Sequence, residues 1–248
     1  MCLKGNRASL PRTLAVALAA GLLAFCSATA FAGEVSTTFF AIEVESALGS
    51  ESWSIASADV DFDPLTDTWS WAGADIPLGD VATLNQANLI IVGDPQIALG
   101  FAVTAGAADT TVTILSAVLS FDPLVNPDGA ASAGVTLTET GGDPTASLVG
   151  LAGDAGSAYA AWYNVPPGTV FAEFVPGLTT DTTISDDGNT GGWVSMGDTV
   201  VSMQAEYSFT LSAEDQASGT SNFLIVPEPA GLALAVLAGG LMLARRRR

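Results

Sequence analysis

Between Gly33 and Pro229 the chain contains no lysine, arginine, histidine or cysteine, although all 26 acidic residues of the protein lie in this stretch. It therefore has no internal counter-charge and no disulfide, and its fold must rest on an apolar core. Self-repulsion keeps such a polyanion soluble and lowers its stability, most strongly at low salt. The seven basic residues lie only near the two ends of the chain.

This composition excludes several classes of function. Nucleic-acid binding is excluded because lysine and arginine supply that affinity by neutralising phosphates. A Ser-His-Asp triad, a Cys-His pair, a Schiff-base lysine or a histidine-ligated zinc site cannot be assembled from these residues. We therefore predict that this protein is not an enzyme. The chemistry that carboxylates alone support is hydrolysis by a glycosidase-type acid pair, or the binding of hard cations such as Ca²⁺.

Short runs of alternating apolar and polar residues, separated by turn residues, fill the stretch 34–225. Val, Thr, Ile, Ala and aromatic residues dominate the runs, and pairs such as Asp-Pro and Gly-Asp separate them. The pattern predicts an all-β, antiparallel β-sandwich of jelly-roll-like type over residues 33–225. The predicted strands are 35–45, 53–62, 88–92, 97–104, 110–121, 131–138, 158–163, 170–174 and 200–211.

A four-residue segment, Phe-Asp-Pro-Leu, occurs twice, at 62–65 and at 121–124. Each copy follows a predicted strand, so we expect each to form the same Asp-Pro turn at a strand exit. Four shared residues do not establish an internal duplication, and a recurring turn at a strand exit is the better explanation.

Two groups of acidic residues are candidate calcium ligands. Asp59, Asp61 and Asp63 alternate along one run and would share one face of a strand, where they repel each other unless water or a cation lies between them. A predicted loop supplies Asp181, Asp186 and Asp187. Neither group has the spacing of an EF-hand loop, and solvated strands and turns are the alternative explanation.

Two indoles, Trp69 and Trp71, lie two residues apart and would share one face of a strand. Sugar-binding modules of sandwich architecture stack pyranose rings on such pairs, which makes these residues a candidate carbohydrate platform. The alternative is that both tryptophans belong to the sandwich core.

Residues 1–32 have the composition of a secretory signal that forms a helix. Its apolar part, 14–26, is only ~20 Å long as a helix, too short to span a ~30 Å bilayer core comfortably. Small residues at Ala30 and Ala32 predict cleavage by signal peptidase after Ala32. A lipoprotein signal at Cys26 is the alternative, and the bulky Phe25 argues against it.

Residues 226–248 consist of a short motif, an apolar run that predicts a short helix, and a basic end. The two prolines of the motif keep it extended. The motif is Pro227, Glu228 and Pro229, the run is 230–244, and the end is Arg245, Arg246, Arg247 and Arg248.

This arrangement resembles the PEP-CTERM sorting signal of Gram-negative bacteria, with Ala230 where that family often has Ser or Thr. The resemblance implies that an exosortase-like membrane protease recognises the motif and removes the tail. An ordinary tail anchor is the alternative, although 15 residues would span only ~22 Å.

Basic residues at both ends favour the cytoplasmic side, so the body between them is expected outside the inner membrane after transient insertion. The resemblance implies a final place at the cell surface or in an extracellular biofilm matrix, with exopolysaccharide as a partner. We therefore expect an exported, non-enzymatic, structural or adhesive protein. The alternatives are a Ca²⁺-dependent carbohydrate-binding or adhesion module and a carboxylate-only hydrolase.

Overall fold

The computed structural model describes residues 33–142 and 144–227. In these residues the chain forms eighteen β-strands and one 3-10 turn at Ser57–Asp59. The strands are β1 Glu34–Val35, β2 Thr38–Ser46, β3 Gly49–Ala56, β4 Asp61–Asp63, β5 Thr68–Leu78, β6 Ala82–Val92, β7 Gln96–Ala105, β8 Thr110–Ser116, β9 Leu119–Val125, β10 Asp128–Thr138, β11 Ala146–Gly150, β12 Tyr159–Tyr163, β13 Thr169–Phe174, β14 Gly177–Thr180, β15 Thr183–Asn189, β16 Val194–Ser195, β17 Thr199–Leu211 and β18 Gln216–Val226.

The strands form two sheets in which neighbours are paired antiparallel. Sheet A follows the order β1-β9-β17-β8-β2-β3, and the pairs β12–β13 and β11–β14 join it at β17. Sheet B follows the order β15-β10-β18-β7-β6-β5-β4, with β16 beside β10. The predicted all-β antiparallel sandwich is thus confirmed.

Both predicted terminal helices fall in residues 1–32 and 228–248, outside the described residues. Among residues 33–142 and 144–227, no helix is long and apolar enough to cross a membrane.

The apolar core lies between the two sheets. The ring of Phe101 on β7 packs against Tyr207 and Phe209 on β17, with ring centroids 4.7 and 5.7 Å apart. Gly219 on β18 leaves the space that this ring needs, because a Cβ at Gly219 would lie 2.6 Å from Cε1 of Phe101. Gly219 lies beside Phe101 on the neighbouring strand of the same sheet, so its missing side chain leaves room for the Phe101 ring that packs against sheet A.

The chain passes from sheet A to sheet B between β17 and β18, and the fully buried Asp215 fixes this passage. Its carboxyl group accepts hydrogen bonds from the backbone N–H of Thr140 at 3.1 Å and from the hydroxyl of Ser212 at 2.5 Å. Its backbone carbonyl accepts from the N–H of Ala105 at 2.9 Å. The side chain of Asp215 thus ties together the ends of β10 and β17, and its backbone carbonyl ties them to the end of β7.

Several strand boundaries differ from the prediction. The predicted strand 53–62 is divided, because β3 ends at Ala56 and the 3-10 turn separates it from β4. The predicted strand 110–121 is likewise divided into β8 and β9. Six strands are missing from the prediction, namely β5, β11, β14, β15, β16 and β18. β15 and β18 contain Gly, Asn and Asp, which have a low intrinsic strand preference, and Ser, which is common in turns. Pairing with β10 holds both strands, and β18 also buries alternate residues, whereas β15 is almost entirely exposed.

The two Phe-Asp-Pro-Leu segments adopt different structures. At 62–65 the chain turns, and the carboxylate of Asp63 accepts hydrogen bonds from the backbone N–H of Leu65 and the hydroxyl of Thr66. At 121–124 the segment instead lies within β9, where Phe121 and Leu124 are buried. The prediction of a shared turn is therefore wrong for the second copy, since burial of those two side chains keeps it extended.

Candidate functional site

The first group of acidic residues does not share a strand face. Asp59 lies in the 3-10 turn, whereas Asp61 and Asp63 lie on β4, and all three are exposed. The predicted common face does not form, because the 3-10 turn interrupts the alternation after Asp59. The side chain of Asp63 instead stabilises the turn that follows it.

The second group lies partly on a strand. Asp186 and Asp187 belong to the edge strand β15, not to a loop, and Asp181 precedes that strand. As successive strand residues, Asp186 and Asp187 point to opposite faces of sheet B. Within the described ranges, no three acidic side chains are grouped so that they could hold a metal ion. Calcium binding by these residues stays a prediction.

The tryptophan pair lies on the face of β5 that is turned toward sheet A, since Trp69 pairs with the buried Ile91. The ring of Trp71 stacks on Trp53 with centroids 5.3 Å apart and lies 5.1 Å from Phe40. Trp71 therefore joins the two sheets, and neighbouring rings cover it.

Trp69 has a different environment from that of Trp71. Its ring stacks on Phe62 with centroids 4.6 Å apart, and Phe62 is 48% exposed at the edge strand β4. Sugar binding at Trp69 stays a prediction.

The predicted sorting motif begins one residue beyond a central strand, because β18 ends at Val226 and Pro227 follows it. The rest of the motif, Glu228 and Pro229, lies outside the described residues, as do Arg245, Arg246, Arg247 and Arg248. Their roles stay predictions.

An acidic depression of about 370 Å³ lies at the edge of sheet A. Glu43 and Glu45 occupy alternate positions on β2, and Glu51 lies on the neighbouring edge strand β3. All three are exposed to solvent. Water and mobile cations screen carboxylates in such a position, so the depression is an anionic surface without an oriented ligand set.

A shallow trough lies over β10 on the outer face of sheet B, the face turned away from sheet A. Strands β15 and β18 flank β10, and their registers place three residues from each strand side by side. Two adjoining depressions of about 460 and 260 Å³ share Gly134, Asp187 and Thr220. The nine residues of this outer trough are Ser132, Gly134, Thr136, Ser185, Asp187, Asn189, Ser218, Thr220 and Asn222.

Gly134, the central one of these nine residues, makes the trough concave. It faces Asp187 on one side and Thr220 on the other, and it has no side chain to fill the space between them. A Cβ at Gly134 would lie 3.4 Å from Cβ of Asp187, an ordinary contact, so a larger residue fits the backbone there. The depression thus depends on a glycine that the local conformation does not require.

The nine residues of the outer trough offer hydrogen-bond donors and acceptors, and only one of them is charged. The amide oxygen of Asn222 accepts from the side chain of Gln96 at 3.2 Å, and that of Asn189 accepts from the N–H of Gly191 at 2.8 Å. Each asparagine therefore keeps its NH₂ group as a donor. Hydroxyl groups supply most of the other positions, and Asp187 supplies the one carboxylate.

Sequence reasoning missed this trough because two of its three strands were not predicted. The signal that could have found it is the alternation of small polar residues with buried ones, as in Ser218, Thr220 and Asn222. The same alternation occurs at Ser132, Gly134 and Thr136 on β10, which was predicted as a strand over 131–138.

The outer face of sheet A carries a half-buried carboxyl group. The indole N–H of Trp162 donates a hydrogen bond of 2.7 Å to Oε2 of Glu206. Burial raises the pKa of Glu206 above its ordinary value of 4.5, and the indole hydrogen bond opposes part of that rise. The face therefore holds one acidic group that is more easily protonated than an exposed glutamate.

No family model matches this sequence, and no curated protein matches it. Among solved structures, the enzymatically active domain of tailspike protein 4 from bacteriophage CBA120 is similar, with a TM-score of 0.30 and 11% identity over 65% of this chain and 20% of that chain. A structure of infectious bursal disease virus, Gx strain, gives a TM-score of 0.29 and 10% identity over 81% of this chain and 59% of that chain. This chain spans about a fifth of the tailspike chain, and likenesses at these TM-scores assign it neither to a family nor to an activity.

Proposed function

We propose that this protein is an exported, non-enzymatic protein of the cell envelope or extracellular matrix, sorted by an exosortase-type system. Its role is structural or adhesive, in a matrix that contains exopolysaccharide. The observation that supports the proposal most is the segregation of charge: the β-sandwich from Gly33 to Val226 contains no basic residue. Every basic residue belongs to the two segments that processing would remove.

The position of the motif suits a membrane protease. Pro227 follows the last residue of β18 directly, and the two prolines keep the motif from extending the strand or forming a helix. The motif is therefore expected to present an extended chain to the protease, directly after the folded β-sandwich. The apolar helix, 230–244, would hold the chain in the inner membrane until cleavage.

Removal of both ends changes how the body interacts with membranes. Basic residues near a bilayer bind anionic headgroups, each contributing about 1 kcal/mol. The processed body has none of them and carries acidic residues on both sheets, so the membrane surface repels it. Cleavage would thus convert a membrane-held chain into one that leaves the membrane. We also propose that the sandwich is of jelly-roll-like type and that residues 1–32 form a signal helix.

Cell fractionation tests the proposal. The chain is expressed in a Gram-negative host that has an exosortase and in the same strain with the exosortase deleted. We expect the wild type outside the inner membrane in the first strain and in the membrane fraction in the second.

Two variants complete the test. Glu228→Ala should stay in the membrane fraction of both strains, whereas Glu43→Ala, which removes an exposed charge from the body, should behave as the wild type. Equal release from both strains, together with normal release of Glu228→Ala, would show that this sorting pathway does not act on the chain.

A further inference from the structure

We propose that the outer trough binds a segment of a neutral polysaccharide chain, which names the ligand class for the matrix role proposed above and rests on that proposal. The trough is open along β10, and from Ser132 to Thr136 it extends about 13 Å at 3.3 Å per strand residue. An open, elongated depression suits a linear polymer better than a small compact ligand, which is normally bound in an enclosed pocket.

The chemistry of the trough matches sugar hydroxyl groups. Each sugar hydroxyl both donates and accepts a hydrogen bond, and the trough presents serine and threonine hydroxyls that do the same. The NH₂ groups of Asn189 and Asn222 add donors on opposite walls, and the exposed carboxylate of Asp187 accepts from two hydroxyls at once. The floor at Gly134 brings the ligand close to the backbone.

Charge selects a neutral polymer. The body contains no basic residue, so a polyuronate, a sulfated glycan or a nucleic acid would be repelled by it. Eight of the nine trough residues are uncharged, and the ninth, Asp187, is negative. A neutral polysaccharide is the polyhydroxylated polymer that meets these groups without a charge penalty.

A second copy of this chain does not suit the same surface. Two copies stacked through their troughs would place one concave face against another. Each would also bring an exposed Asp187 to the interface with no cation between them, and like charges in an interface cost several kcal/mol. The structure thus favours the polymer as the occupant.

Gly134 provides a sharp test because a side chain fits there without backbone strain. Gly134→Val fills the centre of the trough with a residue that strands favour. Ala72→Val is the matched control, because Ala72 is exposed on the same face of sheet B on β5, four strands away. Both variants should melt at or above the temperature of the wild type, so a loss of binding is separable from a loss of fold.

Affinity gel electrophoresis of the full chain in mild detergent measures the binding, with dextran, β-1,3-glucan and galactomannan as neutral probes and alginate as the acidic one. This assay detects weak binding to polymers, which is expected because none of the nine trough residues is aromatic and Phe101, which borders the smaller depression, is buried in the core. We expect the wild type and Ala72→Val to be retarded by at least one neutral polymer and not by alginate. Gly134→Val should lose that retardation by about tenfold or more in apparent Kd.

Three results would overturn the inference: no retardation by any of the neutral polymers, equal retardation of Gly134→Val and Ala72→Val, or retardation by alginate alone. A wild-type dimer that Gly134→Val abolishes would assign the trough to self-association instead. The fractionation experiment is independent of these results. A chain that is sorted by the exosortase but binds no neutral polymer would contradict only the assignment of the trough. A chain that binds through the trough but is not sorted would sink only the proposed pathway.

Discussion

Replacing Asp215 by alanine is expected to lower the free energy of unfolding by about 2–6 kcal/mol, because it removes a buried acceptor from two donors. The side chain accepts from the N–H of Thr140 and the hydroxyl of Ser212, and Asp215 is 0% exposed. Each donor that loses a buried acceptor costs up to about 1–3 kcal/mol. For a domain of this size the melting temperature should fall by roughly 4–20 °C.

Asp215→Asn should cost much less, about 1–2 kcal/mol. The amide oxygen still accepts from Thr140, and the NH₂ group can donate to the hydroxyl of Ser212. That hydroxyl then keeps its own donor for the carbonyl of Ser147, which lies 3.1 Å away. The asparagine variant thus separates loss of hydrogen bonding from loss of charge.

Urea denaturation followed by tryptophan fluorescence measures these differences, with Asp122→Ala as the control. Asp122 is exposed on β9, so its removal takes away the same charge without a buried partner. If Asp215→Ala were no less stable than Asp122→Ala, the passage between the sheets would not depend on the buried carboxyl group, and the reasoning would be refuted.

Three further predictions use the same unfolding measurements. Trp71→Ala should lose about 3–5 kcal/mol because it removes the ring that packs against Phe40 and Trp53, whereas a platform tryptophan would lose little stability. Glu206→Gln should be more stable than the wild type at pH 7 and equal to it below pH 4.5. Because the pKa of Glu206 is raised in the folded state, the folded protein holds this proton more tightly than the unfolded chain does. The contribution of Glu206 to the stability of the wild type therefore falls as the pH rises above 4.5. The melting temperature of the wild type should rise with NaCl from 0.01 to 0.15 M, since the Debye length falls from about 30 to 8 Å; a fall would show that carboxylate repulsion does not limit stability.

The class of the fold could be predicted because alternation and turn residues are local signals. Val112 and Ile114 on β8, for example, alternate with threonines, and the strand follows directly from that pattern. β18 could not be predicted in the same way, because Gly219 and Asn222 have little intrinsic strand preference. Its place in the middle of sheet B comes from pairing with β7 and β10, which lie far away in the sequence.

The candidate site depends on that non-local pairing. Asp187 was recognised as an acidic residue with potential for ligand binding, but its neighbours Gly134 and Thr220 lie 53 and 33 residues away along the chain. Register across three strands brings them together, and no local motif encodes it. The tryptophan pair illustrates the converse, because alternation correctly places Trp69 and Trp71 on one face but does not say which face is buried.

Intact-mass spectrometry of the protein recovered from the medium of an exosortase-bearing host tests the central claim, which is that processing at both ends releases an anionic sandwich. We predict one species that begins at Gly33 and lacks the apolar run and the four terminal arginines. A released species whose mass includes residues 1–32 or Arg245 to Arg248 would contradict it.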